Sequence, residues 1–236
     1  MPIEYLSIIR RNYNAFIDGK TLSDDSLQRY FDGCFKDIAL AKPLPKMWIC
    51  PECLTKRPRE LVLDSSYGHG DKPKICGECN GKVYQISTFQ ARATFSGTTL
   101  MYACYYLLTQ KFDIKTTISG SETKLYDLEF ANDIVAELKG SPRSVSNIDG
   151  SVSQLGRPGM KRTDTKKKAF DNSAEWRSHF PHGHFYILTN ANPDKFRYFR
   201  SQTVTGIYNV TKVKQLKKFV DEVRLLQAQR SGQPAL

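Results

Sequence analysis

Two acidic residues and a lysine lie on two short apolar segments in the middle of the chain. Asp127 is in the first segment, 125–130, and Glu137 and Lys139 end the second. Alternate residues of a strand share a face, so Glu137 and Lys139 are expected to point to the same side. A hairpin loop at 131–133 would bring Asp127 opposite or diagonal to Glu137. The sequence therefore predicts that two carboxylates and an ammonium group converge.

This arrangement favours binding of a divalent cation. An ionised side chain is costly to bury without a partner, and Mg²⁺ prefers carboxylate oxygens while it retains several waters. Two acids leave room for a substrate phosphate and an attacking water, and Lys139 is expected to orient that water or offset phosphate charge. An acid two residues before a lysine also occurs elsewhere, for example at Asp113, Glu122 and Asp164. The apolar strand context distinguishes Glu137 from these.

The order of Asp127 and Glu137-Leu138-Lys139, on consecutive segments after a long apolar helix, resembles the core of the PD-(D/E)XK nucleases. The small basic chain resembles type II restriction endonucleases, and the resemblance covers roughly residues 91 to 210. It implies that Asp127 and Glu137 bind Mg²⁺, that the Leu138 carbonyl adds a ligand, and that Lys139 assists hydrolysis.

Two positions depart from the family pattern. Tyr126 stands where the motif name has proline, a residue that many members also lack. Some members add an acid from the helix before the core sheet, but the apolar helix expected here, from Thr98 to Gln110, contains none. Glu129, on the same face as Asp127, is a possible substitute, and its alternative role is that of a surface or ion-paired strand acid.

The resemblance implies a Mg²⁺-dependent, sequence-specific endonuclease that hydrolyses phosphodiester bonds in double-stranded DNA without a nucleotide cofactor. By analogy with enzymes that cut both strands of a palindromic site, it also implies a homodimer. Two other hypotheses stay open. One is a non-enzymatic zinc-ribbon DNA-binding regulator, in which Glu137 and Lys139 form only a surface ion pair. The other is a repair or junction nuclease on the same core.

Four cysteines form two C-x-x-C pairs separated by 22 residues: Cys50 with Cys53 and Cys76 with Cys79. Two such pairs supply the four thiolates of a structural Zn²⁺ site. Disulfides or a redox pair are the alternatives, but no secretory signal and no thioredoxin-like unit accompanies the motif. His69 is interpreted as a loop residue because four cysteines complete the shell. We therefore predict a zinc ribbon.

Composition favours a basic protein with a polyanionic partner. Among 236 residues, 35 Lys and Arg against 24 Asp and Glu give a net charge of +11. Lys and Arg contacts to phosphates release counterions from nucleic acid. No apolar stretch approaches the roughly 20 residues that span a bilayer, and the N-terminus lacks a signal-peptide pattern. We expect a cytoplasmic protein with no membrane partner.

Residues 140–168 are polar and basic, as expected for a long loop that becomes ordered on DNA. The residues expected to bind DNA are Arg143, Arg157, Lys161, Arg162, Lys166, Lys167 and Lys168. The alternative is a solvated basic face. His179, His182 and His184 surround a proline and a glycine at the start of an expected strand, which favours turn and surface roles over metal binding or catalysis.

The expected elements give a mixed α/β fold, a central mixed sheet flanked by helices, and the resemblance implies a restriction-endonuclease-like core. We expect an N-terminal helical region at 1–46, the zinc ribbon at 47–90 and the nuclease core at 91–236. Hydrophobic periodicity gives the elements of the core. They are a buried helix at 96–111, a three-stranded antiparallel meander within 112–139, a helix at 169–180, strands at 184–189 and 206–210, and a C-terminal helix capped by Asn209 or Thr211.

Overall fold

The computed structural model describes residues 3–41, 48–49, 74–75, 80, 82–85, 90–119, 125–140, 144–146, 152–154, 163–192 and 202–231. The predicted zinc ligands Cys50, Cys53, Cys76 and Cys79 lie outside these ranges. Four of the predicted DNA contacts also lie outside them: Arg143, Arg157, Lys161 and Arg162. No helix within the described ranges combines the length and the apolar character that crossing a membrane requires.

The described residues form five helices and ten strands. In chain order the helices are α1 (Ile3–Phe16), α2 (Asp24–Ala41), α3 (Gln90–Phe112), α4 (Thr163–His179) and α5 (Val213–Ser231). The strands are β1 (Trp48–Ile49), β2 (Lys74–Ile75), β3 (Lys82–Gln85), β4 (Thr117–Ile118), β5 (Leu128–Ala131), β6 (Ile134–Lys139), β7 (Ser144–Ser146), β8 (Val152–Gln154), β9 (His184–Thr189) and β10 (Gly206–Asn209).

The central sheet has five strands in the order β10-β9-β6-β5-β4. Strands β4, β5 and β6 form an antiparallel meander, and β9 lies parallel to β6 and to β10. A turn at Asn132 and Asp133 joins β5 to β6, as the sequence predicted. The mixed fold class is confirmed, and so is the expected order of helix, meander, helix and strand.

Two hydrophobic clusters cover the two faces of this sheet. The first joins the sheet to α1, α2, α3 and α5, and its members from β6 are Ile134, Ala136 and Leu138. The second contains Val135 of β6 and Trp176 of α4. Because side chains alternate along a strand, Glu137 and Lys139 share the face of Val135. The acid and the lysine therefore lie on the side of the sheet that α4 covers.

Helix α3 packs against the face of the sheet opposite to α4. It begins six residues before the predicted start at Ser96. Its inner residues are buried: Leu100, Ala103, Cys104, Leu107 and Leu108. The hydroxyl of Tyr30, on α2, donates a 2.9 Å hydrogen bond to the Ala103 carbonyl. This contact fixes the N-terminal helical pair against the helix that supports the sheet.

The segment expected to be a loop at 140–168 contains regular structure. Strands β7 and β8 pair antiparallel within it, and α4 begins at Thr163 rather than at 169. The inner face of α4 includes a lysine: Lys166 is only 8% exposed and lies one turn before the buried Ala169. A long lysine stem can be buried, but its charge interrupts the apolar pattern that predicts a helix. Lys166, Lys167 and Lys168 are thus helical residues.

A separate three-stranded sheet lies in the region predicted to be a zinc ribbon. Strands β1 and β2 both pair antiparallel with β3. Strand β1 ends at Ile49 and β2 ends at Ile75, so each ends immediately before one C-x-x-C pair. The cysteines lie outside the described residues, and their role in binding zinc stays a prediction.

The N-terminus of α5 is capped by a residue from another helix. The Asp24 carboxylate accepts hydrogen bonds from the Val213 amide at 2.8 Å and from Lys212 Nζ at 3.1 Å. The predicted caps have a different role, because Asn209 Oδ1 accepts hydrogen bonds from the amide and hydroxyl of Thr211. Asn209 and Thr211 therefore shape the turn before α5, and Asp24 satisfies the first helical amide.

Replacing Asp24 by alanine is expected to lower the free energy of unfolding by about 1 kcal/mol, because a helix amide loses its acceptor. Urea denaturation of the variant and the wild type measures the difference. Asp25→Ala is the matched control, since Asp25 is also in the first turn of α2 and pairs with exposed Arg29. Equal effects of the two substitutions would contradict the capping role of Asp24.

Candidate active site

Asp127 lies across from Glu137 at the junction of β5 and β6. The pairs Leu128↔Ala136 and Glu129↔Val135 define a register that places Asp127 opposite Glu137 when it is continued by one residue. The Asp127 amide donates to the Ala136 carbonyl at 2.9 Å, and the Leu138 amide donates to Asp127 Oδ2 at 2.6 Å. The Asp127 carboxylate is therefore fixed to the strand that carries Glu137.

The carboxylate of Glu137 is buried, with only 5% of the residue exposed, and each of its oxygens has a partner. Oε1 forms an ion pair with Nζ of Lys139, whose side chain is 13% exposed. Oε2 accepts a 3.2 Å hydrogen bond from Nδ2 of Asn172, which is a residue of α4. A cation and a neutral donor thus hold the two oxygens of one buried acid.

Burial raises the pKa of both carboxyl groups. The pKa of Glu137 is raised by desolvation, lowered by the charge of Lys139 and raised again by the charge of Asp127. The pKa of Asp127 is raised by desolvation, and the Leu138 amide and the charges of Lys139 and Lys168 lower it. For both groups desolvation is the largest effect. Two adjacent acids whose charged forms are disfavoured make a site that a further cation would stabilise.

Strand β9 fixes the backbone beside the site. Glu137 pairs with Ile187 and Lys139 pairs with Thr189 in the parallel ladder. The Thr189 hydroxyl donates to the Lys139 carbonyl at 2.8 Å and accepts a hydrogen bond from the Ala191 amide at 3.1 Å. These contacts restrain the end of β6, where the acid and the lysine lie.

Glu129 does not join the two acids. Its Oε2 accepts a 2.9 Å hydrogen bond from the hydroxyl of Tyr126, and burial together with this carboxylate raises the pKa of Tyr126 to about 12. Among the described residues there is no group of three or more His, Cys, Asp and Glu side chains that could hold a metal ion. The site therefore contains two acids, Asp127 and Glu137, and the strand role of Glu129 is the better interpretation.

Two residues of α4 belong to the site in ways that the sequence did not reveal. Asn172 was not singled out, although a buried asparagine on the inner face of a predicted helix signals a polar partner. Lys168 was expected to contact DNA, and its charge also acts on Asp127. Lys167 is exposed and pairs with Asp171 at 2.7 Å, whereas Lys166 is buried. Of the three lysines, only Lys167 and Lys168 present an exposed charge.

The three histidines lie away from this site. His179 and His182 are exposed, and His184 begins β9, where it pairs with Ile134 at the opposite end of β6 from Lys139. Those two ends are five residue steps apart along β6, a distance of about 16 Å. The exposed positions of His179 and His182 agree with the interpretation as turn and surface residues, whereas His184 is a half-buried strand residue.

Comparison of the chain with protein-family models, with curated proteins and with solved structures gives no match. A functional interpretation therefore depends on the chemistry of the site itself. Its elements are the buried Glu137 beside the half-buried Asp127, a lysine bound to Glu137, and the exposed lysines of α4.

Glu137→Gln is expected to change how stability depends on pH when metal is absent. A carboxyl group whose pKa is raised by folding binds its proton more readily in the folded protein. The protonated carboxyl group contributes fully to stability below its ordinary pKa of about 4.3. This contribution is lost as the pH rises through the raised pKa of the folded protein. As the pH rises from about 4 through the raised pKa of Glu137, wild-type protein in chelator should therefore lose stability relative to Glu137→Gln.

Urea denaturation at a series of pH values measures this difference. Glu175→Gln, on the exposed face of α4, is the control and should follow the wild type. Parallel pH profiles for wild type and Glu137→Gln would contradict the raised pKa of Glu137.

Proposed function

We propose that the protein is a Mg²⁺-dependent endonuclease that hydrolyses phosphodiester bonds in double-stranded DNA, in the manner of type II restriction enzymes. The observation that carries the proposal is the convergence of Asp127, Glu137 and Lys139 at adjacent strands of the central sheet. The order of helix, antiparallel meander, helix and parallel strand also agrees with a PD-(D/E)XK core.

The donor set fits Mg²⁺. Asp127 and Glu137 offer carboxylate oxygens, which Mg²⁺ prefers, and a pair of acids leaves positions for water and phosphate. The Leu138 amide points towards Asp127. Because the amide and carbonyl of one strand residue point to the same neighbouring strand, this orientation supports Leu138 as a carbonyl ligand. When bound, the ion would polarise the scissile phosphate and lower the pKa of a water.

Lys139 has two roles in this proposal. Without metal it neutralises Glu137 through the ion pair with Oε1. With a cation held by Asp127 and Glu137, the Lys139 ammonium group would be available to orient the attacking water or to offset the charge of the phosphate. The side chain need not move far, since it already lies beside the metal-binding carboxylate.

The non-enzymatic hypothesis requires a surface ion pair, and the burial of the site argues against it. The side chains of Lys139 and Glu137 are 13% and 7% exposed. Exposed pairs contribute at most about 1 kcal/mol, whereas a buried pair requires well-oriented partners to offset its desolvation. A buried pair beside a second raised-pKa acid is better explained by a functional site.

DNA binding and dimer formation belong to the same proposal. Lys167 and Lys168 lie on exposed positions of the helix that covers the acids, which suits contacts with phosphates next to the scissile bond. Arg143, Arg157, Lys161 and Arg162, which lie outside the described residues, are also proposed to contact DNA. A two-fold homodimer would present two such sites to the two strands of a palindromic sequence.

Asp127→Ala, Glu137→Ala and Lys139→Ala are each expected to reduce DNA cleavage by at least about 100-fold, because each removes a metal ligand or the group beside the attacking water. Most DNA binding should persist. Plasmid or phage DNA is incubated with each protein in Mg²⁺, in Ca²⁺ or in chelator, and the fragment ends are sequenced. Glu175→Ala on the exposed face of α4 is the control and should cut normally.

The same experiment separates the alternatives. Discrete ends at one short motif would support a restriction enzyme, whereas preferential cutting of branched or mismatched DNA would favour a repair or junction nuclease. Full activity of Asp127→Ala or Glu137→Ala would remove the proposed metal site.

We also propose a structural Zn²⁺ ion bound by Cys50, Cys53, Cys76 and Cys79. The supporting observation is that β1 and β2 end immediately before the two C-x-x-C pairs and flank the same strand, β3. Both strands are antiparallel to β3, so they run in the same direction on its two sides, each about 5 Å from it.

Purified wild-type protein is expected to contain one zinc ion per chain, because four thiolates complete a tetrahedral shell. Cys76→Ser should lose the metal, and elemental analysis after dialysis measures it. Cys34→Ala is the matched control, since Cys34 is a buried free thiol in the core. Retention of zinc by Cys76→Ser would refute the proposed ligand set.

A further inference from the structure

Helix α4 supplies a neutral donor to the buried acid of the site. We propose that Asn172 is a positioning residue that holds the Glu137 carboxylate in place for the catalytic cation. This inference rests on the proposed function, because it concerns the same metal site. Asn172 is only 7% exposed, and its Nδ2 donates to Glu137 Oε2.

The two oxygens of Glu137 have partners of different chemistry, and this difference is the basis of the inference. Lys139 holds Oε1 by its charge, so a divalent cation competes directly with it. Asn172 holds Oε2 with an uncharged amide, which a cation does not repel. If a bound cation replaced the ammonium group beside Glu137, the hydrogen bond from Asn172 to Oε2 would be retained and would keep the carboxylate oriented.

The position of Asn172 is itself restrained by the packing of α4. Trp176, one helical turn further on, is buried against Phe185 of β9, with ring centroids 5.8 Å apart. The hydroxyl of Ser173 donates to the Phe170 carbonyl at 2.7 Å and lies 2.7 Å from the hydroxyl of Thr203. Contacts on both sides of Asn172 thus fix the helix, and a fixed donor orients a ligand with little entropic cost.

An asparagine suits this position better than a charged residue. A lysine would add a second competitor for the cation, and an aspartate would place a third negative charge beside Asp127 and Glu137 in the metal-free protein. The amide satisfies the buried carboxylate without changing the net charge of the site. A merely structural role for Asn172 would affect stability and leave metal affinity unchanged.

Calorimetric titration of metal-free protein with Mn²⁺ tests the inference without reference to DNA cleavage. Asn172→Ala is expected to bind Mn²⁺ about 10- to 100-fold more weakly than wild type, the usual effect of removing a group that orients a metal ligand. Asn172→Leu removes the donor but keeps the branched arrangement of side-chain heavy atoms, and it should show the same loss. Thermal unfolding in chelator identifies any variant that is not folded.

Asn12→Ala is the matched control. Asn12 is also buried, at 4% exposure, and donates to Asp37 at 2.9 Å on the opposite side of the molecule from α4. This variant should lose stability and keep its Mn²⁺ affinity.

Folded Asn172 variants with wild-type Mn²⁺ affinity would overturn the positioning role and leave the nuclease proposal intact. A third outcome is that the wild type binds Mn²⁺, the Asn172 variants bind it more weakly, and the wild type does not cleave DNA. That outcome would refute the nuclease proposal and leave the positioning role of Asn172 intact. Absence of Mn²⁺ binding by the wild type would overturn both.

Discussion

The polar contacts of this site depend on one constraint: two neighbouring carboxylates are withdrawn from water, Glu137 fully and Asp127 in part. Asp127 and Glu137 meet across the β5–β6 ladder, and desolvation raises the pKa of both. Lys139, Asn172 and the Leu138 amide each offset part of the cost by bonding to one of the acids. The arrangement is costly for a purely structural purpose, since apolar side chains would fill the same space at lower free energy.

The architecture explains how the sheet can carry this cost. Strand β6 is central, with neighbours on both sides, and its other face packs into the larger hydrophobic cluster. Helix α4 covers the acids and contributes Asn172 and Lys168 from one turn. A rigid strand and a packed helix thus hold polar groups that a loop would not keep in one geometry. The six residues of β6 therefore include both the apolar side chains whose burial stabilises the fold and the charged side chains whose burial destabilises it.

The sequence predicted those parts of the site that depend on local periodicity. The alternation of β6 and the turn at Asn132 were sufficient to bring Asp127 opposite Glu137. Strand β9 has the predicted bounds, because its aromatic and β-branched residues form a continuous run. The start of α4 was not predicted, since the charge of Lys166 interrupts the apolar stripe. Local rules also could not identify Asn172 as the partner of Glu137, because tertiary packing brings the two together.

Local sequence rules also could not predict the cap of α5, because it comes from a residue distant in sequence. This cap has a wider consequence. Asp24 and Val213 are 189 positions apart, and their hydrogen bond links the start of α2 to the start of the last helix. Helices α1, α2, α3 and α5 also share one hydrophobic cluster with β6. The amino-terminal pair is thus part of the same cooperative folding unit as the acid-bearing strand. Opening of that pair would be transmitted to the far side of the sheet, so slow amide exchange in α1 and in β6 should share one global unfolding event.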